Sequence, residues 1–330
     1  MNLSVMNLKK KLRERATHTK HHSYGIILSL VVLCIIIAIL SPRFLTVDNL
    51  KNVAAQATVT AIISVGGFLA ILTAGIDLSV GSILALSIMM MGIFAVNLGI
   101  DPYISMFLCL VVGSLIGLFN GLLLTKLKLP HPFISTMGTK YIARGFALAV
   151  TAAAPISGFA APVQFLGSRS VGPIPVSALL VAVLYFCMYM FLTRTAMGRH
   201  IYAVGGNVEA SRLSGINVDK VLCVVYTISG FTAALAGIVL VGRVNAAYPL
   251  AGLDYETDAI AAVIIGGASF SGGVGKIGNT IIGVLVIAVL RNGLNLLNVD
   301  SAYQTVAIGV VIILAVYLDV LRQRKSKVSH

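Results

Sequence analysis

The chain has 330 residues, of which 58% are hydrophobic and only 11% charged, and it carries a formal net charge of +13. A soluble domain carries about a quarter charged residues, so there is too little polar surface here to cover a water-soluble body of this length. The basic residues gather at the two ends and in a few short loops, as anchors beside anionic lipid do, and no nucleic-acid fold signature accompanies them.

Residues 1–23 form a basic tail that includes Lys9, Lys10, Lys11, Arg13, Arg15 and Lys20. The apolar run behind it lacks a small-x-small cleavage site and reads as an uncleaved membrane anchor, not a signal peptide. Crossing a hydrocarbon core takes roughly 20 helical residues. Ten segments approach that length, at 24–40, 53–73, 80–98, 103–124, 132–150, 176–192, 221–241, 257–267, 279–296 and 303–318. The eighth is short, and Gly266, Gly267 and the run SGGVG at 271–275 interrupt the chain after it, the pattern of a half-helix lining a cavity. Dropping segments eight and nine as a pair would leave eight crossings, so the expected fold is all-α and polytopic with about ten membrane helices, eight at the fewest.

With both termini in the cytoplasm, seventeen Lys and Arg fall on the inside. Four (Arg43, Lys51, Arg169 and Arg243) fall outside, as the positive-inside rule requires. The membrane body then runs from 24 to 320, and a second basic tail occupies 321–330. Two connections stand out. The stretch 151–175, rich in Ala, Gly, Ser and Pro, lies outside; the polar stretch 193–220 lies inside.

Polar residues within or beside the segments are the candidates for function. Asp77 and Ser79 precede the third segment, where either can cap the helix, with relay of motion as the functional alternative. Lys140 and Arg144 lie one turn apart, about 12 and 18 Å beyond Pro132. Cations at that depth are costly and face the bundle interior or water, so they line a path or belong to a buried network with carboxylates, carbonyls or hydroxyls.

In the inner connection, Gly205, Gly206 and Asn207 break structure, Asn207 is a good N-cap, and Glu209 suits the first turn. Ala210 and Leu213 share a face and Gly215 closes the unit, giving a short amphipathic helix that presses into a partner's groove or lies on lipid. Asp254, Glu256 and Asp258, at the outer start of segment eight, either cap that helix or join Arg169 and Arg243 in an external charge set for docking a soluble protein. Arg291 snorkels or pairs with Asp258. The tetrapeptide AGID at 74–77 is echoed by AGLD at 251–254, each ahead of a membrane segment.

No enzyme constellation is present in the sequence. Gly275-Lys276 lacks the rest of a phosphate loop, since Phe270 stands where its first glycine belongs and Ile277 where Ser or Thr is required. The widely spaced Cys34, Cys109, Cys187 and Cys223 and the scattered histidines offer no metal-ligand spacing, so no metal or cofactor is expected.

The segments FLTVDNLKNV (44–53), TAGIDLSVGSILAL (73–86), GLFNGLLLTKLKLPHPFISTMGT (117–139), IYAVGGNVEASRLSGI (201–216) and IIGGASFSGGVG (264–275) together resemble the ribose/xylose-type sugar permease family of ATP-binding-cassette (ABC) importers. The resemblance runs from about residue 44 to 320. Within it, Glu209, Ala210, Ser211 and Gly215 match the Glu-Ala-Ala-x3-Gly of the importer coupling loop with one substitution, while the Ile-x-Leu-Pro of the general pattern is missing. The resemblance implies an ABC importer permease fold in the bacterial inner membrane. It also implies a non-catalytic subunit with a separate ATPase on the coupling loop, an extracytoplasmic sugar-binding protein outside, and a second permease copy beside it. The transported solute is then a monosaccharide of ribose, xylose or allose type, or another small polar solute such as a furanose-like signalling molecule. Asn120, in the FNG of the fourth segment, joins Lys140 and Arg144 as a candidate for the path. A secondary sugar carrier is the alternative outside the class. The expected scarcity of mid-membrane carboxylates argues against proton coupling.

Overall fold

A computed structural model describes residues 25–328. The tail at 1–23 and the side chains beyond residue 317, including Arg322, Arg324, Lys325 and Lys327, lie outside the described residues. Helix α1 spans Gly25–Leu40. After it come α2 (Val47–Leu72), α3 (Val80–Gly92), α4 (Pro102–Thr125) and α5 (Pro132–Ala149). Then come α6 (Ala161–Ser168), α7 (Val176–Arg194), α8 (Ala196–Gly206), α9 (Val208–Leu213) and α10 (Val218–Val244). The chain closes with α11 (Tyr255–Ile265), α12 (Ile277–Leu296) and α13 (Ser301–Val328). A π-helical turn, Ile93–Asn97, prolongs α3. Strands among the described residues are two residues long: Ile156–Ser157 pairs antiparallel with Ala246–Ala247, and Ser170–Val171 with Ile174–Pro175.

Local chemistry sets the helix ends. Asp101 accepts the Tyr103 and Ile104 N–H groups ahead of α4, with Pro102 at its first position. His131-Pro132 opens α5 in the same manner, and Asn217 caps α10 through the Lys220 N–H. Asn245, in the left-handed region, ends α10.

Among the described residues, six helices are long and apolar enough to cross a membrane: α2, α3 with its π turn, α4, α7, α10 and α12. Gly25–Leu40 and Ser301–Tyr317 are shorter apolar helices. The fifth expected segment is an 18-residue helix carrying the two cations. The eighth is only the 11 residues of α11, after which the chain turns through 266–276, so this segment is indeed a partial helix.

Helices α2 and α10 occupy the centre. The apolar stretch of α2 is 83% buried and that of α10 72%, against 22% for α7. Helix α4 lies along α10 through a stripe of glycines. A methyl group at Gly117 would sit 2.2 Å from the Tyr226 carbonyl oxygen, and one at Gly113 2.5 Å from that of Gly230. Small residues are what let two backbones approach this closely. One apolar cluster joins α2, α11, α12 and the first turns of α10; a second joins α3, α4 and the rest of α10.

The packing repeats. Helix α10 packs on α3 and α4 as α2 packs on α11 and α12, and α3 meets α4 and α5 as α11 meets α12 and α13. AGID and AGLD hold equivalent places in these two units, directly ahead of α3 and α11. The starts of α3 and α11 touch, since a methyl group at Gly81 would lie 2.1 Å from the Gly252 carbonyl oxygen.

Candidate functional site: a mid-height polar layer and an exposed helix at one end

The segment 73–79 leaves the end of α2 and turns back into the bundle. Asp77 is buried there. One carboxylate oxygen accepts the Ser79 N–H at 2.9 Å and the Ser79 hydroxyl; the other accepts the Ser229 hydroxyl of α10 at 2.7 Å. The Asn120 amide donates to the Ser79 hydroxyl oxygen at 2.8 Å. Neither Asp77 nor Ser79 caps α3 with its side chain, contrary to the capping expectation. Asp77 takes the N–H of Ser79, which precedes the helix, and three donors compensate its burial. Asn120 is wedged between α4 and the start of α3, with its Oδ1 buried and unpartnered among the described residues.

Lys140 and Arg144 project from the middle of α5 towards the segment that leads into α11. The Lys140 ammonium meets the Glu256 carboxylate at 2.6 Å. The Arg144 guanidinium donates to the Pro249 carbonyl, and to that of Ala251 at 2.8 Å. Arg291 of α12 pairs with Asp258 at 2.8 Å. Both cations of α5 therefore find the carboxylate and carbonyl partners that their depth demands.

This arrangement corrects two sequence expectations. Glu256 and Asp258 are not charges on an outer rim: they are 4% and 3% exposed and ion-paired, because α11 begins in the middle of the bundle. Asp254, in the left-handed region (φ 65°), is exposed at the same level; it holds the N-cap position of α11, but its side chain makes no capping bond. Carboxylates at mid-height are also more numerous than the segment boundaries implied. Their expected scarcity no longer weighs against a proton-coupled carrier. Arg169 and Arg243 are exposed near the end that carries α6, Arg243 reaching the Ala55 carbonyl at 3.3 Å.

The opposite end carries α8 and α9. Gly205 and Gly206 do not break structure as expected; they are the last two residues of α8, and Asn207 separates the helices. Asn207 caps α9 by accepting the Ala210 N–H at 2.8 Å. Glu209 and Arg212 form an exposed pair at 3.1 Å. The Ser211 side chain is buried, whereas Ala210 lies exposed and Leu213 is 90% exposed. Gly215, at φ 81°, ends the unit, and the Ile216 N–H returns to the Ser211 carbonyl. Helix α9 thus turns its apolar residues outward.

Sequence reasoning missed three partners in these sites. Ser229 holds Asp77 from 152 residues away, the Thr136 hydroxyl of α5 donates to the Ile76 carbonyl at 3.1 Å, and the Tyr202 hydroxyl to that of Gly275 at 2.9 Å. Burial raises the Tyr202 phenol above its ordinary pKa. Tyr202 lies within the family-like segment IYAVGGNVEASRLSGI and Thr136 within GLFNGLLLTKLKLPHPFISTMGT, but nothing local marks Ser229. An open cavity of about 420 Å³ lies beside the π turn, lined by Asn97, Thr151, Pro155 and Ser157 among others.

Comparison with known proteins places these features in a family. The family described as "Branched-chain amino acid transport system / permease component" matches residues 49–316. The chain is 44% identical over 297 residues to the ribose import permease protein RbsC of Bacillus subtilis strain 168, covering 89% of this chain and 92% of that one. It is 41% identical to RbsC of Escherichia coli K12, covering 90% and 93%. It is also 44% identical to the D-allose transport system permease protein AlsC of E. coli K12, covering 90% and 91%. No solved structure gives a significant match.

Proposed function

The chain belongs to the branched-chain amino acid transport system / permease component family, and from that premise we propose that it is the membrane-spanning permease subunit of an ATP-driven monosaccharide importer. It is a multi-pass protein of the bacterial inner membrane. Both termini and α8–α9 face the cytoplasm, where the excess of Lys and Arg lies, and the 151–175 connection faces outward. The chain crosses about ten times, with α11 as a partial crossing.

The observation that carries this reading is α9. An aliphatic side chain 90% exposed on a polar connection, flanked by an ion pair, is a knob that needs a groove. The importer's ATPase supplies that groove, gripping α9 around Glu209, Ala210, Ser211 and Gly215, and hydrolyses the ATP. A sugar-binding protein docks outside, with Arg169 and Arg243 among the steering charges. A second copy of the chain completes the path. Exposed Asp254 and the part-exposed Lys140 and Arg144 lie near mid-membrane, where lipid is a poor neighbour for charge, so their face borders that path. Alternating access results when ATP and the loaded binding protein bias two states of the dimer.

Mild-detergent affinity purification tests the reading. A Walker-motif ATPase should co-elute at about one copy per permease and be lost from a Leu213→Asp variant. A chain that elutes alone and still transports would sink the proposal. The mid-height carboxylates favour one second reading, a proton-coupled sugar carrier; its mark is uptake that survives ATP depletion and stops when the proton gradient collapses.

A further inference from the structure

The end of α8 is joined to two other segments backbone to backbone. A methyl group at Gly205 would lie 1.8 Å from the Leu72 carbonyl oxygen at the end of α2, and 2.6 Å from the Gly273 nitrogen. The Gly273 N–H itself donates to that Leu72 carbonyl at 2.8 Å. A methyl group at Gly272 would lie 2.7 Å from the Gly205 carbonyl oxygen and 2.9 Å from the Ala74 methyl. One at Gly273 would lie 2.8 Å from the Gly206 Cα. Three chain segments therefore meet with no side chain of α8 between them, and the Tyr202–Gly275 hydrogen bond ties the same turn down a second time.

The two partner segments lead to different parts of the bundle. Five residues beyond Leu72 is Asp77, held by Ser229 of α10; on the way, the Ile76 carbonyl is held by Thr136 of α5, the helix that carries Lys140 and Arg144. The turn at Gly272–Gly273 leads directly into α12. Gly205 is buried, so it faces the bundle and not a soluble partner. Close-packed backbone has little compliance, so a displacement of α8 passes on instead of being absorbed by side-chain rotation.

We propose that Gly205 is a positioning residue for transport. Its backbone, keyed between Leu72 and Gly272–Gly273, transmits movement of α8–α9 to the segments that open onto α3 and α12. This rests on the ATPase-docking role of α9 proposed above, and different variants test the two roles.

The experiment reconstitutes the complete importer, permease with ATPase and binding protein, in vesicles. It measures ATPase retention, sugar uptake, and the stimulation of ATP hydrolysis by sugar-loaded binding protein. Gly205→Ala should keep the ATPase through purification yet lose uptake and stimulation by about tenfold or more, the scale of a small misplacement of working groups. Gly278→Ala, where a methyl group meets nothing within 4 Å, should behave as the unaltered chain does. Gly205→Ala with stimulation and uptake intact overturns the proposal, and so does a Gly205→Ala chain that sheds the ATPase, since Gly205 would then act in docking. If Gly205→Ala does not accumulate in the membrane, Tyr202→Phe decides: it removes the hydrogen bond to Gly275 without added bulk. A fall of about twofold in sugar moved per ATP supports transmission through this junction, and an unchanged ratio overturns it. Failure of the docking reading is seen separately, as retention of the ATPase by Leu213→Asp.

Discussion

The Lys140–Glu256 pair shows how one contact reconciles cost with position. Glu256 is almost fully buried and Lys140 about a third exposed, so removing either partner strands a charge in a medium that solvates it poorly. Lys140→Met and Glu256→Gln should each cost about 2 kcal/mol in detergent-solubilised unfolding, and the double variant should cost less than the sum. Additive losses would mean that the pair is not coupled. Arg144 differs, because its partners are the backbone carbonyls of Pro249 and Ala251. Arg144→Leu should abolish uptake while the protein still accumulates and binds its ATPase. Normal uptake in that variant would remove Arg144 from the path.

At the scale of elements, the seam between α4 and α10 depends on the absence of side chains. Gly117→Val places a branched group against the Tyr226 carbonyl, where neither backbone has room to yield. Loss of about 3 kcal/mol or more is expected, read as a fall in detergent-solubilised melting temperature or as failure to accumulate. An unaltered melting temperature would show that the helices separate without penalty. Helix ends are the most legible features at this scale: Asp101-Pro102, His131-Pro132 and Asn217 each start a helix, since the groups that satisfy its first N–H donors are local. Asp77 and Ser79 look equally good in the sequence and do not cap, because Ser229 and Asn120, from other helices, claim their polar atoms.

For the whole molecule, the bias of basic residues predicts which end of the bundle faces which compartment. In a background with Cys34, Cys109, Cys187 and Cys223 replaced, Ser170→Cys should react with a membrane-impermeant thiol reagent in intact cells. Ser214→Cys should react only after permeabilisation. The reverse pattern would invert the topology and place α9 where no ATPase can reach it. The two similarly packed units, α3–α5 with α10 and α11–α13 with α2, each contain a helix that starts at mid-height, so the polar layer sits where the units meet.

Length of apolar runs, position of basic loops and cap chemistry were enough to read a polytopic helical membrane protein, its connections and the short helix at 208–213, because each depends on neighbours within a few residues. The half-helix α11 was also readable, from the glycines that come after it. The depth of its start was not. That depth turns Glu256 from a supposed surface charge into the buried partner of Lys140 and buries Asp258 in the pair with Arg291 that the sequence offered as one alternative; it is set by how α11 seats against α2, α12 and the start of α3. Contacts such as Asp77 with Ser229, or Gly205 with Leu72, join residues more than a hundred positions apart. Packing of whole helices creates them, and no periodicity along the chain encodes which carbonyl will meet which glycine.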